Sequence, residues 1–349
     1  MKILKILFLT CMIVWGKSTV VENHLKVFTL FNIDLSKENM SLIQDFRKSI
    51  DFHDTKELMN ALDNNPRNAY MIYSELKNID APEFLLYLAI SESKLKNNAK
   101  SSVKATGVWQ FMRPTAKHYG LQINKELDER IDPIVSTDAA VRYLNYLNKM
   151  FGKWYLAVMA YNCGEGKLLK VIKKNGNDEF LSLMNSPFLP GETKMFMKKI
   201  IKMVYIGENQ NIDEYFTNLQ KPNELIKVDV KAGTKLSSFS KIAGVSFDKL
   251  KKLNPHLLKN QAPKNQNYHF YLPKIYLANY NEKLAKMPKY EIYIVKNGDT
   301  LSHIAQKFDI GKDYIKNENN LKNDNIKINQ ELLIPVLEIS SIKSKITKS

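Results

Sequence analysis

"LAISESKL", residues 88–95, reads as a helix in which one residue, Glu92, breaks the apolar pattern. At 100° per residue, Ala81, Leu85, Leu88, Glu92 and Leu95 fall within about 80° of one another. Phe84, Leu86, Tyr87 and Ile90 make the other sides almost as apolar, which is the mark of a buried helix. Glu92 is therefore expected near its C-terminal end, facing core or the floor of a cleft. Burial disfavours the charged carboxylate, and the negative end of the helix dipole acts in the same direction. A carboxyl group that keeps its proton near neutral pH suits a general acid. The plainer alternative is a carboxylate that pairs with a cation or caps a neighbouring element.

The sequence that follows supplies partners for an acid. A polar loop leads to Gly107, where the chain can approach another backbone closely. Trp109 then offers a flat apolar surface for a sugar face, and Gln110 an amide for hydroxyl or N-acetyl groups. In "LAVMAYNCGEGKL", residues 156–168, Tyr161 and Asn162 end a helix just before a Gly-x-Gly loop. Asp128, Glu129 and Asp132 are the candidates for a second carboxylate, although Asp132-Pro133 reads as a helix start. Helices are expected at 82–95, 109–119, 134–151, 153–162, 165–174 and 192–206, after a preamble of short helices between about 34 and 80 that shows no obvious chemistry. The absence of alternating strand patterns here argues for an all-α globular domain.

The chain has 349 residues, 44% of them hydrophobic, and a net charge of +16. Residues from Lys221 onward carry +11 of this surplus, all from lysine and none from arginine. Such a balance favours polyanionic partners but speaks against nucleic acid, whose specific readers concentrate arginine for bidentate contacts. At the N-terminus, Lys2 and Lys5 precede the apolar run Ile6–Gly16, which is too short to span a bilayer. Residues 1–18 are read as a signal peptide or an N-terminal anchor, giving export with possible membrane association. If cleavage removes Cys11, Cys163 is the remaining thiol, which leaves neither an intramolecular disulfide nor a Cys-based metal site.

Beyond Pro222 the sequence repeats itself at a spacing of 65 residues. "VKAGTKLSSFSKIAGVSFDKLKKLN" from Val230 aligns without gaps on "VKNGDTLSHIAQKFDIGKDYIKNEN" from Val295, with eight of 25 positions identical. Each copy closes on a short strand ending in proline, "HFYLP" at 269–273 and "ELLIP" at 331–335. The pattern strand, glycine turn, helix, helix, strand resembles the LysM module, a βααβ unit whose family binds N-acetylglucosamine-containing glycans. The resemblance implies glycan binding through Gly298, Asp299, Thr300 and Leu301 in the second copy. The first copy departs from it, with Thr234-Lys235 in place of Asp-Thr, and is read as a divergent module or a structural spacer.

The helical region resembles the lytic transglycosylases, lysozyme-like enzymes that cleave peptidoglycan. "ISES" at 90–93 carries the family's Glu-Ser pair, "GVWQFM" at 107–112 its Gly-x-x-Gln segment, "DERIDP" at 128–133 a structural loop, and "AYNCG" at 160–164 its Ala-Tyr-Asn segment. With "LPGETKMF" at 189–196 and modules behind, the likeness is to the membrane-bound murein transglycosylase D type. The fold implied is mainly α, a lysozyme-like helical catalytic domain followed by two small βααβ LysM-like modules. Its parts are an N-terminal helical region at 19–80, the catalytic domain at 81–210, modules at 226–274 and 291–336, and a polar tail at 337–349. The resemblance makes Glu92 the single catalytic acid/base, with Ser93, Gly107, Trp109, Gln110, Tyr161 and Asn162 binding substrate. Phe196 stands where relatives often carry tyrosine, a role then lost or passed to Tyr205, and Cys163 is read as packing near the site.

A hydrolase needs a second carboxylate or a water-activating base. One carboxyl group suffices if the muramic 6-hydroxyl attacks C1 and leaves a 1,6-anhydro sugar, with no metal or cofactor. The expected partner is thus peptidoglycan in the periplasm or cell envelope of a bacterium. The rivals are a goose-type lysozyme on the same fold, a non-catalytic LysM glycan-binding protein, and an exported DNA-binding protein.

Overall fold

Residues 20–286, 289–308 and 310–336 are described by the computed structural model, so the expected signal or anchor segment and the polar tail lie outside the described residues. Four helices open the chain: α1 (Val20–Phe31), α2 (Lys37–Lys48), α3 (Phe52–Asn64) and α4 (Pro66–Asn78). Their starts follow local chemistry. Ser36 accepts a hydrogen bond from the Asn39 amide, Asp51 and Asp54 form a reciprocal capping box, and Pro66 occupies the first turn of α4. Ile43, Phe46, Leu58, Leu62, Ile72 and Leu76 enter the same apolar core as Leu85–Ile90, so the preamble and the Glu92 helix share one interior.

Eight further helices complete this region: α5 (Leu85–Ser93), α6 (Arg113–His118), α7 (Pro133–Phe151), α8 (Trp154–Cys163), α9 (Glu165–Asn175), α10 (Phe180–Asn185), α11 (Gly191–Asn209) and α12 (Ile212–Asn223). Two expected helices are shorter than their patterns. The 82–95 helix stops at Ser93 because Lys94 and Leu95 turn left-handed, at φ 54° and 63°. The 109–119 helix begins only at Arg113. Before it, the Gln110 amide donates to the Gly107 carbonyl and Thr106 bridges Phe111, forming a tight turn with Gln110 at φ 48°. Pro114 then opens the helix.

Each C-terminal module is a two-stranded antiparallel sheet with two helices between its strands. The first comprises β1 (Leu225–Val230), α13 (Leu236–Ala243), α14 (Phe247–Leu253) and β2 (Tyr268–Pro273), with Lys227 opposite Tyr271. After the linking helix α15 (Leu277–Ala285), the second comprises β3 (Lys289–Ile294), α16 (Leu301–Lys307), α17 (Lys312–Glu318) and β4 (Glu331–Val336), with Ile292 opposite Leu333. The repeated asparagine has one job in both. Asn254 donates to the carbonyls of Leu250 and Tyr271 and accepts from the Tyr271 amide, and Asn319 does the same with Ile315 and Leu333. It ties the end of the second helix to the closing strand.

The first module packs in the same compact unit as the helices, and residues from Tyr276 onward form most of a second unit with its own core. The first module docks on the helices through polar, specific contacts. Leu127 bridges Leu257, the Asp128 amide donates to the His256 carbonyl, and the Leu258 amide donates to Glu126. The Tyr268 hydroxyl reaches Glu129 at 2.6 Å, and the Tyr271 hydroxyl lies 3.0–3.1 Å from both oxygens of Asp132. Glu129, Asp132 and Tyr271 are all buried.

Candidate active site

Glu92 sits in the last turn of α5, whose other side chains are almost all buried. The left-handed turn after it leaves helix-end carbonyls to be satisfied. Two asparagines at the start of α4 do this: Asn65 donates to the Lys94 carbonyl and Asn68 to the Leu95 carbonyl at 2.7 Å. The preamble thus fixes the end of the helix that carries the acid.

Burial pushes the Glu92 carboxyl up to about 7, the nearby charge of Glu192 adds to the rise, and Lys199 partly offsets it. Both neighbours lie on α11. Glu192, Phe196, Lys199 and Met203 are three or four residues apart and share one face, and the Ser91 hydroxyl donates to the Met203 sulfur. Phe196 therefore sits on the face that carries the residues nearest the acid. Tyr205, nine residues on, projects about 180° away. It is buried and influenced by Arg47, so it does not take over a hydroxyl role at position 196. Lys199 is held at 3.1 Å by Glu57 of α3, which also pairs with Lys94.

Opposite, Tyr161 near the end of α8 donates its hydroxyl to the Trp109 carbonyl at 2.7 Å. Burial first, and the charge of Glu92 second, hold this phenol well above its ordinary range. The next residue, Asn162, accepts from the Thr193 hydroxyl at 2.7 Å, which fixes its amide. The Cys163 thiol donates to the Gly164 carbonyl at 3.8 Å and burial pushes it up, so it stays protonated and packs as a side chain near the site.

Several expected binding residues have structural duties. Trp109 is fully buried with its indole N–H donated to Thr137 at 2.9 Å, so it presents no face to a sugar. Ser93 is buried and donates its hydroxyl to the Ala89 carbonyl of its own helix. Gly107 has φ 86°, and a Cβ there would lie 1.8 Å from the Arg130 carbonyl oxygen, so the close approach it permits is to the 128–133 loop. Gln110 donates its side-chain amide to the carbonyls of Ala99 and Gly107, holding the loop rather than reaching outward. In the second module, Leu301 is buried, Thr300 caps α16, Gly298 takes φ 88°, and Asp299 accepts from the Lys296 amide and the Tyr293 hydroxyl. The Leu301 side chain is thus core rather than a glycan contact.

The alternative second carboxylates are likewise engaged: Asp128 pairs with Arg130, Glu129 with Tyr268, and Asp132 caps α7. Glu192, exposed in the first turn of α11, is the carboxylate closest in influence to Glu92, and its place in "PGET" gave no sign of this. A row of rings also escaped the sequence reading. It runs from Tyr161 through Tyr143 (5.4 Å) and Tyr119 (4.9 Å) to exposed His118 (5.1 Å). Its members come from three helices and a turn, so no spacing announces it.

Known families match the chain in this order: the Transglycosylase SLT domain at residues 69–183, the lytic transglycosylase MltD LysM-like domain at 224–289 and the LysM domain at 293–335. The membrane-bound lytic murein transglycosylase D of Escherichia coli K12 is 31% identical over 288 residues, 76% of this chain. The chain spans 62% of that relative's length. The peptidoglycan transglycosylase gp16 of Escherichia phage T7 is 35% identical over 88 residues, 25% of this chain and 7% of that protein. Among solved structures, the 70 kDa soluble lytic transglycosylase of Escherichia coli aligns at 21% identity over 41% of this chain and 24% of its own, with a TM-score of 0.34. The chain is similar to the murein transglycosylase D proteins over most of its length, and its second module matches the LysM domain. No described helix is long and apolar enough to cross a membrane.

Proposed function

We propose that this chain, an SLT-domain homologue of the murein transglycosylases with LysM-type modules behind, is a peptidoglycan lytic transglycosylase of the bacterial cell envelope. It cleaves the β-1,4 bond between N-acetylmuramic acid and N-acetylglucosamine and leaves a 1,6-anhydro end. Glu92 in the last turn of a buried helix, its carboxyl pushed up to about 7 by burial, carries this reading. As an acid it protonates the glycosidic oxygen while the N-acetyl group assists departure at C1. As the resulting carboxylate it accepts the 6-hydroxyl proton while that oxygen closes on C1. Tyr161 and Asn162 shape the space beside the acid, one braced on the Trp109 carbonyl and the other on Thr193. The row Tyr143, Tyr119 and His118 offers ring surface leading outward for sugars, the function that buried Trp109 does not serve.

The acid form must be present for the first step, so glycan release is expected to fall as pH rises above about 7, with Glu92→Gln inactive at every pH. Glu92→Gln that releases glycan as wild type does would end the enzyme reading and leave a glycan-binding protein. Glu192 keeps one rival in view: in a goose-type hydrolase an exposed carboxylate near the acid activates water. Glu192→Gln is expected to retain anhydro-product formation, and loss of all product release in this variant would favour the hydrolase. The second module supplies glycan affinity, and its lysines suit acidic peptide stems and wall phosphates.

A further inference from the structure

Between the helical domain and the first module lies a buried cluster of three possible metal ligands, drawn from positions far apart in the sequence. Asp132, His256 and His269 each offer a ligand atom within 4.8 Å of the others. Asp132 and His256 are completely buried, and His269 is half-buried beside them on β2. The carboxylate is already divided in its duties. Its Oδ1 takes the Ile134 and Val135 amides at the head of α7, while Oδ2 accepts from the Tyr271 hydroxyl and also faces His256 Nδ1 at 3.3 Å, outside hydrogen-bond geometry. Both His256 nitrogens and His269 Nε2 are buried without a hydrogen-bond partner. Orphaned buried imidazole nitrogens are rare because each forfeits its hydration for nothing in return.

Charge points the same way. Burial favours the neutral form of both imidazoles, which is the form that ligates metal. Three carboxylates, Asp132, Glu129 and Glu75, gather at this seam, and the lysine that faces them, Lys227, is exposed. The surroundings also have the outer partners that metal sites use. Tyr271 donates to Asp132, Tyr268 stacks on the His269 ring at 4.5 Å, and its hydroxyl is held by Glu129.

We propose that Asp132, His256 and His269 form a structural site for a divalent transition ion of the zinc class, pinning the first module to the helical domain. Two imidazoles and a carboxylate suit zinc better than calcium or magnesium, which take oxygen ligands. Water completes the four-coordinate set. The ion takes no part in glycan cleavage, and the site does not depend on the proposed activity.

The test uses the full-length protein without a histidine tag. After chelation and gel filtration, Zn2+ is titrated by calorimetry, and Co2+ is added separately to read the visible ligand-field bands of a tetrahedral nitrogen–oxygen site. Binding of about one equivalent is expected, with a rise in Tm on metal addition and its reversal by chelator. His269→Gln should weaken Zn2+ binding by more than about 100-fold and abolish the Co2+ bands, with the circular dichroism spectrum unchanged. His256→Gln should do the same, and Glu92→Gln should bind metal as wild type does. Failure of wild type to bind either ion, or binding that survives both histidine substitutions, would overturn the site.

Discussion

The two modules share a repeat, a strand register and an asparagine latch, yet the same sheet face has opposite fates in them. In the first, Lys227 stands opposite Tyr271, whose ring is buried against the helical domain with its hydroxyl on Asp132. In the second, the equivalent pair is Ile292 and Leu333, 60% and 42% exposed. The residues that make a module fold are those kept in common: Gly233 and Gly298 at the turn, Leu236 and Leu301 in the core, Asn254 and Asn319 at the latch. The residues that decide what a module touches are those that differ. By this measure the first copy has become part of the helical unit, and the second keeps that face exposed.

The difference can be broken at the seam first. Replacing both Tyr268 and Tyr271 with phenylalanine leaves Glu129 and Asp132 buried without their hydroxyl donors, which is expected to cost about 3 kcal/mol in denaturant unfolding of the helical unit. A cost near zero would show that the first module is as independent as the second. A comparison of the latches is next in size. Asn254→Ala removes bonds from a site 1% exposed and is expected to cost about 2 kcal/mol, against about 1 kcal/mol for Asn319→Ala at a half-exposed site. Equal losses would mean that burial is not what separates the modules. Thr300→Ala, which removes a cap of α16, should cost about 1 kcal/mol in the second module alone. Smallest of all, deleting residues 289–349 should leave the unfolding of the helical unit unchanged and reduce binding to insoluble peptidoglycan. A shift in that unfolding would join the two units.

The acid itself sets a stability prediction with the opposite sign. Its folded pKa, about 7, lies above the ordinary 4.5, so its protonated form stabilises the fold at low pH, and this contribution is lost as pH rises through 7. Glu92→Gln should therefore stabilise the protein by up to about 3 kcal/mol at pH 8 and far less at pH 4.

The acid was legible because a carboxylate interrupts an apolar helix, and a side chain facing core must have a reason to be polar. Tyr161 and Asn162 stand near the end of α8, where the sequence also places a helix end. The outward role of Trp109 was misleading, because an indole beside a glycine turn looks available until Thr137 is seen to hold its N–H. The preamble gave no hint that Asn65 and Asn68 finish the Glu92 helix or that Glu57 restrains Lys199, since these are contacts between distant segments. The same is true of Glu192, the aromatic row and the module seam. Helix periodicity reports which face is buried and is silent on which element buries it.

The most direct test of the single-acid account is mass spectrometry of the ends released from purified peptidoglycan by wild type and by Glu92→Gln. The account predicts muramic ends about 18 Da lighter than hydrolysed ones from wild type and no released product from Glu92→Gln. Hydrolysed reducing ends from wild type, or anhydro ends at an undiminished rate from Glu92→Gln, would contradict it.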